Sequence, residues 1–183
     1  MKSPLKEILF IVLVIAQLGT LGWMVVDRNR LAVEGEKILL ECEPVDPRSL
    51  LSGDYVILNY RISSFDDKEL DQLVRGEKKF RKSAPLWVVL KEGKNGFHEA
   101  TDISRDRPDL EDGETVIRGA VQSYYRGGRL RIRYGLEQFF VPQKEGKVIE
   151  RQIRDTSVEV AVNEDGDSAV VRIFIAGEEV KFH

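Results

Sequence analysis

A chain of 183 residues with 42% hydrophobic content accommodates one compact domain plus an attachment segment. Its net charge of -3 is near neutral for this size, which implies no general polyanion partner, nucleic acid included. A single cysteine, Cys42, excludes an intramolecular disulfide, and two histidines, His98 and His183, leave little material for a zinc site or a histidine-based catalytic centre.

The N-terminal segment is the most informative. From Ile8 to Val26 the chain reads "ILFIVLVIAQLGTLGWMVV", 19 residues without a charge. A helix of that length spans about 28 Å, close to the roughly 30 Å of a bilayer's hydrocarbon core. A buried core helix carries a polar stripe, and this segment has none. It exceeds the h-region of about 7–15 residues typical of a cleaved signal peptide, and "WMVVDRNRLAV" offers no small-x-small cleavage site. Glu41, directly before Cys42, stands where a lipoprotein site has a small residue. The expectation is an uncleaved, single-pass anchor in residues 1–30, inserted in the bilayer through residues 8–26, with a β domain over 31–183. Trp23 fits an interfacial aromatic at the far end. Lys2 and Lys6 on one side balance Arg28 and Arg30 on the other. By default the short tail then sets an N-inside, C-outside arrangement, with the domain extracytoplasmic at the cytoplasmic membrane.

Within the anchor, Ala16, Gln17, Thr20 and Met24 share one helical side. Small and hydrogen-bonding residues there let another helix approach closely. The alternative is that any anchor tolerates one glutamine and a few small residues.

After Arg30, short segments rich in Val, Ile, Tyr and Phe alternate with polar residues between Gly, Pro and Asp. "EKILLECEP", "DYVILNYRI", "PLWVVLKEG", "ETVIRGAVQSYY", "GRLRIRYG", "EQFFVP", "TSVEVAVNEDG" and "SAVVRIFIAG" read as strands. In the second, Val56, Leu58, Tyr60 and Ile62 share one face, and Ile57, Asn59 and Arg61 the other. Asp165-Gly166 and Gly127-Gly128 supply hairpin turns. "FDDKELDQLVRGEKKFRKS" (65–83) carries weak helical patterning around Leu70, Leu73 and Val74, and reads as a short exposed helix or an excursion between strands. Val148, Ile149 and Ile153 predict a small helix within 143–155. The fold class is mostly β: an N-terminal transmembrane helix, then an antiparallel barrel or sandwich with one or two short helices.

The stretch "PVDPRSLLSGDYVILNY" resembles the signature of the GDYXXLXY family: Gly53-Asp54-Tyr55, two positions, Leu58, one position, Tyr60. Asp46-Pro47-Arg48 before it is similar to the family's pattern. So is a second block, "IRYGLEQFFVPQKEGKVIE", with Tyr134, Gly135, Glu137, Phe140 and Pro142. The resemblance implies bacterial membrane-anchored proteins without an assigned activity, accessory to multi-pass membrane proteins. The residues themselves support a structural role. Asp46 before Pro47 favours a turn, Gly53 gives freedom at the strand entry, and Asp54 can accept local backbone N–H groups. Arg48 is placed to pair with Asp54 or Asp46. Tyr60 lies on the core face, its hydroxyl needing a partner at the edge. The competing reading makes the "DPRSLLSGD" loop a ligand or partner site.

Catalytic signals are sparse. Membrane-anchored signal peptidases also set a proline-containing loop before a Gly-Asp strand entry, but here Val45 occupies the position two before Pro47. Ser49 and Ser52 follow the proline, and no lysine stands at an obvious buried strand position, so a Ser-Lys hydrolase lacks its pair. The acidic loops 109–114 and 163–167 lack EF-hand ligand order, and no phosphate loop, cysteine cluster or flavin or nicotinamide fingerprint is present. No cofactor and no metal are expected. Arg129, Arg131 and Arg133 line one strand face, with Arg118 and Arg126 nearby. They would meet an acidic partner, anionic headgroups or a glycan, or else be balanced by cross-strand Glu residues such as Glu159. The expected function is a non-enzymatic binding or accessory subunit of a membrane complex with a multi-pass partner. The alternatives are an envelope ligand sensor using the "DPRSLLSGD" loop and a degenerate signal-peptidase-like hydrolase.

Overall fold

A computed structural model describes residues 4–43, 55–74, 79–125, 128–140 and 155–180. Helix α1 (Pro4–Glu34) leads into β1 (Glu36–Glu43), then β2 (Tyr55–Ile57), β3 (Asn59–Tyr60), a 3₁₀ turn (Arg61–Ser63), β4 (Ser64–Asp66) and α2 (Asp67–Leu73). There follow β5 (Pro85–Glu92), β6 (His98–Ser104), β7 (Glu114–Tyr124), β8 (Arg129–Arg133), β9 (Gln138–Phe140), β10 (Thr156–Val162), β11 (Ser168–Ile175) and β12 (Glu178–Glu179). One antiparallel sheet runs β12-β11-β10-β1-β3 and the other β4-β8-β7-β5-β6, with β2 and β9 as a separate pair. The domain is thus mostly β, two antiparallel sheets of which one curls into a half-barrel.

Period-two alternation builds the core. Ile38, Leu40 and Cys42 of β1 face inward beside exposed Lys37 and Glu41, and in β8 Leu130 and Ile132 alternate inward between exposed arginines. These side chains join Leu86, Val88 and Leu90 of β5 and Val158, Val160 and Val162 of β10 in one buried cluster. At about 25 cal/mol per Å² of apolar surface, that continuous core dominates the domain's stability.

Helix α1 ends beyond the expected boundary at residue 30, because "DRNRLAVE" contains no Gly or Pro to stop it before Gly35. Its apolar window is wholly unburied, and among the described residues it is the one helix long and apolar enough to cross a membrane. The last turns dock on β10 and β11 of the first sheet: Leu31 is buried and Arg28 Nη1 donates to Ser168 O at 3.0 Å. Lys37 Nζ donates to the carbonyls of Ala32, Val33 and Gly35 at 2.7, 3.3 and 2.9 Å, capping the helix C-terminus with a cation. A Cβ at Gly35 would fall 2.6 Å from Leu31 O, so only glycine permits this close exit.

The predicted strand over 54–62 is divided. β3 pairs with β1 in one sheet and β4 with β8 in the other, and the 3₁₀ turn takes the chain around that corner. The charged stretch after Phe65 does form a helix, α2, closed at its start by a capping box: Glu69 N donates to Asp66 Oδ1 at 2.9 Å and Asp66 N to Glu69 Oε2 at 2.8 Å. It is not merely exposed, since Leu70 is fully buried. Strands β4, β6 and β12 were not anticipated. The Asp165-Gly166 hairpin forms, with Gly166 alone at positive φ (+73°) and Gly166 N donating to Asn163 O. Residues 143–154 of the expected helix and Gly127 of the second hairpin lie outside the described residues.

Candidate functional site: the meeting of two motif blocks

Leu58 and Tyr60 sit in and beside β3, while Tyr134, Gly135 and Glu137 form the connection from β8 to β9. Separated by more than 70 residues, the two blocks meet in space. Tyr60 is fully buried, and its hydroxyl donates to Leu136 O at 2.7 Å. Tyr134 answers in the opposite direction, its hydroxyl donating to Ile62 O at 2.6 Å. Between them Leu58 N donates to Glu137 O at 2.8 Å. Tyr55 and Phe140 extend the same junction as backbone partners in the β2–β9 pair.

The turn is held by its own carboxylate. Gly135 takes φ +82°, and Glu137 accepts the N–H groups of Tyr134 (Oε1, 2.5 Å) and Gly135 (Oε2, 3.0 Å). Burial pushes both tyrosine hydroxyls well above their ordinary range, and the Glu137 carboxylate adds to each. For Tyr60 the neighbouring Cys42 contributes as well. Such groups stay protonated as donors and supply no base. Cys42, buried in the same core beside Glu41, is pushed up to about 12 and is no nucleophile at neutral pH. Chemically, this constellation is a clasp.

Asp46, Pro47, Arg48, Gly53, Asp54 and Pro142 lie outside the described residues, as do Ser49, Ser52 and the "DPRSLLSGD" loop as a whole. His98 is not isolated: its Nδ1 accepts Leu39 N–H at 3.3 Å, closing the seam between β1 and β6. The acidic loops are turns, with Glu114 accepting Glu111 N–H and Asn163 Oδ1 accepting Asp167 N–H. Among the described residues no three His, Cys, Asp or Glu side chains are gathered as a metal site.

Ala16, Gln17, Thr20 and Met24 are all exposed on α1. Thr20 Oγ1 donates to Ala16 O at 2.9 Å, so its hydroxyl is satisfied within its own helix. Arg129, Arg131 and Arg133 do line one exposed face of β8. Glu159 is not their counterion; it lies in the other sheet, where Arg172 of β11 grips it with hydrogen bonds of 2.9–3.0 Å. Instead Arg129 stands opposite Asp66, and Arg131 opposite Ser64. Asp66 is held below the usual carboxylate range, chiefly by the Glu69 N–H it accepts, with the Lys68 and Arg129 charges contributing. Arg118 pairs with Asp167. Arg126 lies outside the described residues.

Two clefts had no sequence signal, because each is assembled from distant segments. The larger, about 770 Å³, opens where α1 meets the domain, between Asp27–Glu36, Arg107–Leu110, the start of β7 and the β10–β11 turn. The other, about 630 Å³, lies beside His98 and is lined by Leu39, Phe97, Phe174 and Ser157.

Comparison with family models matches residues 17–173 to the family described as "GDYXXLXY protein". No curated protein and no solved structure matches the chain.

Proposed function

Starting from the fact that the chain belongs to the GDYXXLXY family, we propose that it is a membrane-anchored, non-enzymatic accessory subunit of a membrane complex. The observation that carries this reading is α1. Its apolar window is unburied, and the same helix runs unbroken into a turn clamped against the β domain. A bilayer covers the first part, and the clamp presents the domain at the membrane surface in a set orientation. The resulting local concentration favours neighbours in the same bilayer without a large interface. The described motif residues support a binding rather than a catalytic role, since Tyr60, Tyr134 and Glu137 are committed to holding strands together. We place the anchor in the cytoplasmic membrane with the domain on the outer side, and a multi-pass protein as the partner.

Detergent co-purification of the tagged full-length chain tests the proposal. It is compared with Ala16→Leu/Gln17→Leu/Thr20→Leu, which removes the small and polar face of α1. A stoichiometric membrane partner retained by the first and lost by the second is the expected result; no partner with either form refutes the accessory role. The second reading, a binding domain for a small envelope ligand, is supported by the cleft beside His98, while the 46–54 loop lies outside the described residues. A ligand for that cleft raises the melting temperature in proportion to the logarithm of its concentration.

A further inference from the structure

The cleft at the foot of α1 has a position and a charge that together select a partner. Val26 is the last residue of the apolar run and Leu31 the point where the helix docks on the domain. Five residues of helix rise about 7.5 Å, and the headgroup layer on each side of a bilayer is about 5–7 Å deep. The cleft therefore lies at headgroup depth.

Its charges are unevenly engaged. Arg28 donates to Ser168 O, and Arg107 is taken up by Asp165 and the Glu164 carbonyl. Asp27, Glu34 and Glu36 form no ion pair among the described residues, leaving Arg30 as their one uncommitted counter-charge on α1. Thr115, only 6% exposed, lines the same cleft. Leu31, Leu110 and Val116 add an apolar wall.

We propose that this cleft docks a basic juxtamembrane segment, lysine or arginine side chains just outside the bilayer, of a neighbouring membrane-spanning protein. This inference rests on the membrane-anchored reading above. The spread of carboxylates matches several cationic side chains rather than one ion, for no metal-type cluster is present among the described residues. Apolar stems of Lys or Arg lie along Leu110 and Val116 while their heads reach the carboxylates and the Thr115 hydroxyl. A lipid phosphate finds Arg28 and Arg107 engaged and the acids facing it, with Arg30 alone left to meet it. In the partly dehydrated headgroup layer each such pairing gains strength over its value in water.

The test uses the full-length chain in phosphatidylcholine nanodiscs. The probe is a synthetic single-span polyleucine peptide flanked by Lys-Arg-Lys-Arg, or by four glutamines as control, and association is read by energy transfer. The basic peptide is expected to associate about tenfold more tightly than the glutamine peptide. That preference disappears in Asp27→Asn/Glu34→Gln/Glu36→Gln and persists in the distal control Glu178→Gln/Glu179→Gln. Melting curves of all forms are expected to coincide, since these exposed side chains make no described contact. A preference that survives the triple change, or is lost equally in the control, overturns the inference. So does carboxylate-dependent enrichment of phosphatidylethanolamine, in nanodiscs of phosphatidylcholine mixed with that lipid, without any peptide effect. Alkaline carbonate washing of membranes separates the two levels. A chain that washes off refutes the anchored reading and this one together. A chain that stays embedded but shows no carboxylate-dependent preference refutes this one alone.

Discussion

Tyr60 and Tyr134 each donate to a carbonyl that belongs to the other's neighbourhood, Leu136 O and Ile62 O respectively. Replacing either by Phe keeps the ring and leaves a buried acceptor unpaired, which costs about 1–3 kcal/mol. In a chain of this size each kcal/mol lowers Tm by about 2–4 °C. Because both bonds hold one junction, the double variant loses less than the two single losses added together. Additivity within about 0.5 kcal/mol in denaturant titrations shows independent bonds instead. The same residues set an alkaline limit. Cys42, Tyr60 and Tyr134 are neutral in the fold with raised pKa values, whereas the unfolded chain ionises its thiol at the ordinary value of 9.0. The folded state then holds more protons. Their contribution is complete below about pH 9 and declines as pH climbs toward 12, by about 1.4 kcal/mol for each unit from Cys42 alone. Urea midpoints measured between pH 8 and 11 check this, and Cys42→Ala is expected to flatten the first part of the decline.

Between strands the tightest approach to the clasp is at Gly119 of β7. A Cβ there would meet Ile132 Cγ2 at 2.5 Å and the Tyr134 ring at 3.0 Å. Gly119→Ala therefore displaces Tyr134 and weakens its bond to Ile62 O, a loss of about 1–3 kcal/mol from overpacking. Thermal melting is expected to fall less when Gly119→Ala is made in Tyr134→Phe, where that bond is already gone; equal losses in both backgrounds refute the link. Arg131 and Arg133 are different, because among the described residues neither forms an ion pair. Charge reversal of both to Glu is expected to leave stability within about 0.5 kcal/mol, as for surface positions generally, and so isolates any effect on partner or lipid binding.

Across the whole molecule the decisive relation is between α1 and the domain it carries. Capping by Lys37, the close exit at Gly35 and the Arg28–Ser168 bond bind the helix end to β10 and β11. The chain has two tryptophans, Trp23 at the end of the apolar run and Trp87 in β5 beside Gly166. In Trp87→Phe the remaining Trp23 reports depth. Quenching by lipids labelled near the headgroup, exceeding that by lipids labelled at the chain end, is expected for an interfacial tryptophan. Absence of quenching by either removes the transmembrane placement of α1.

Much of this was legible without coordinates. An uninterrupted apolar run predicts one long apolar helix, and period-two alternation determines which strand face is buried, so α1, the long strands and the inward side of Leu58, Tyr60 and Ile62 follow from local pattern. The spacing of the motif residues likewise identified the family. Tertiary structure alone decided what depends on neighbours. Periodicity says which face a residue takes but not which strand lies beside it, so Glu159 met Arg172 and not the arginines of β8. Strands β4 and β6 formed without a clear alternating signal because β8 and β5 were there to pair with them. The clasp of Tyr60 and Tyr134 and the acidic cleft under α1 join segments far apart in sequence, and only long-range sheet order brings such segments within hydrogen-bonding distance.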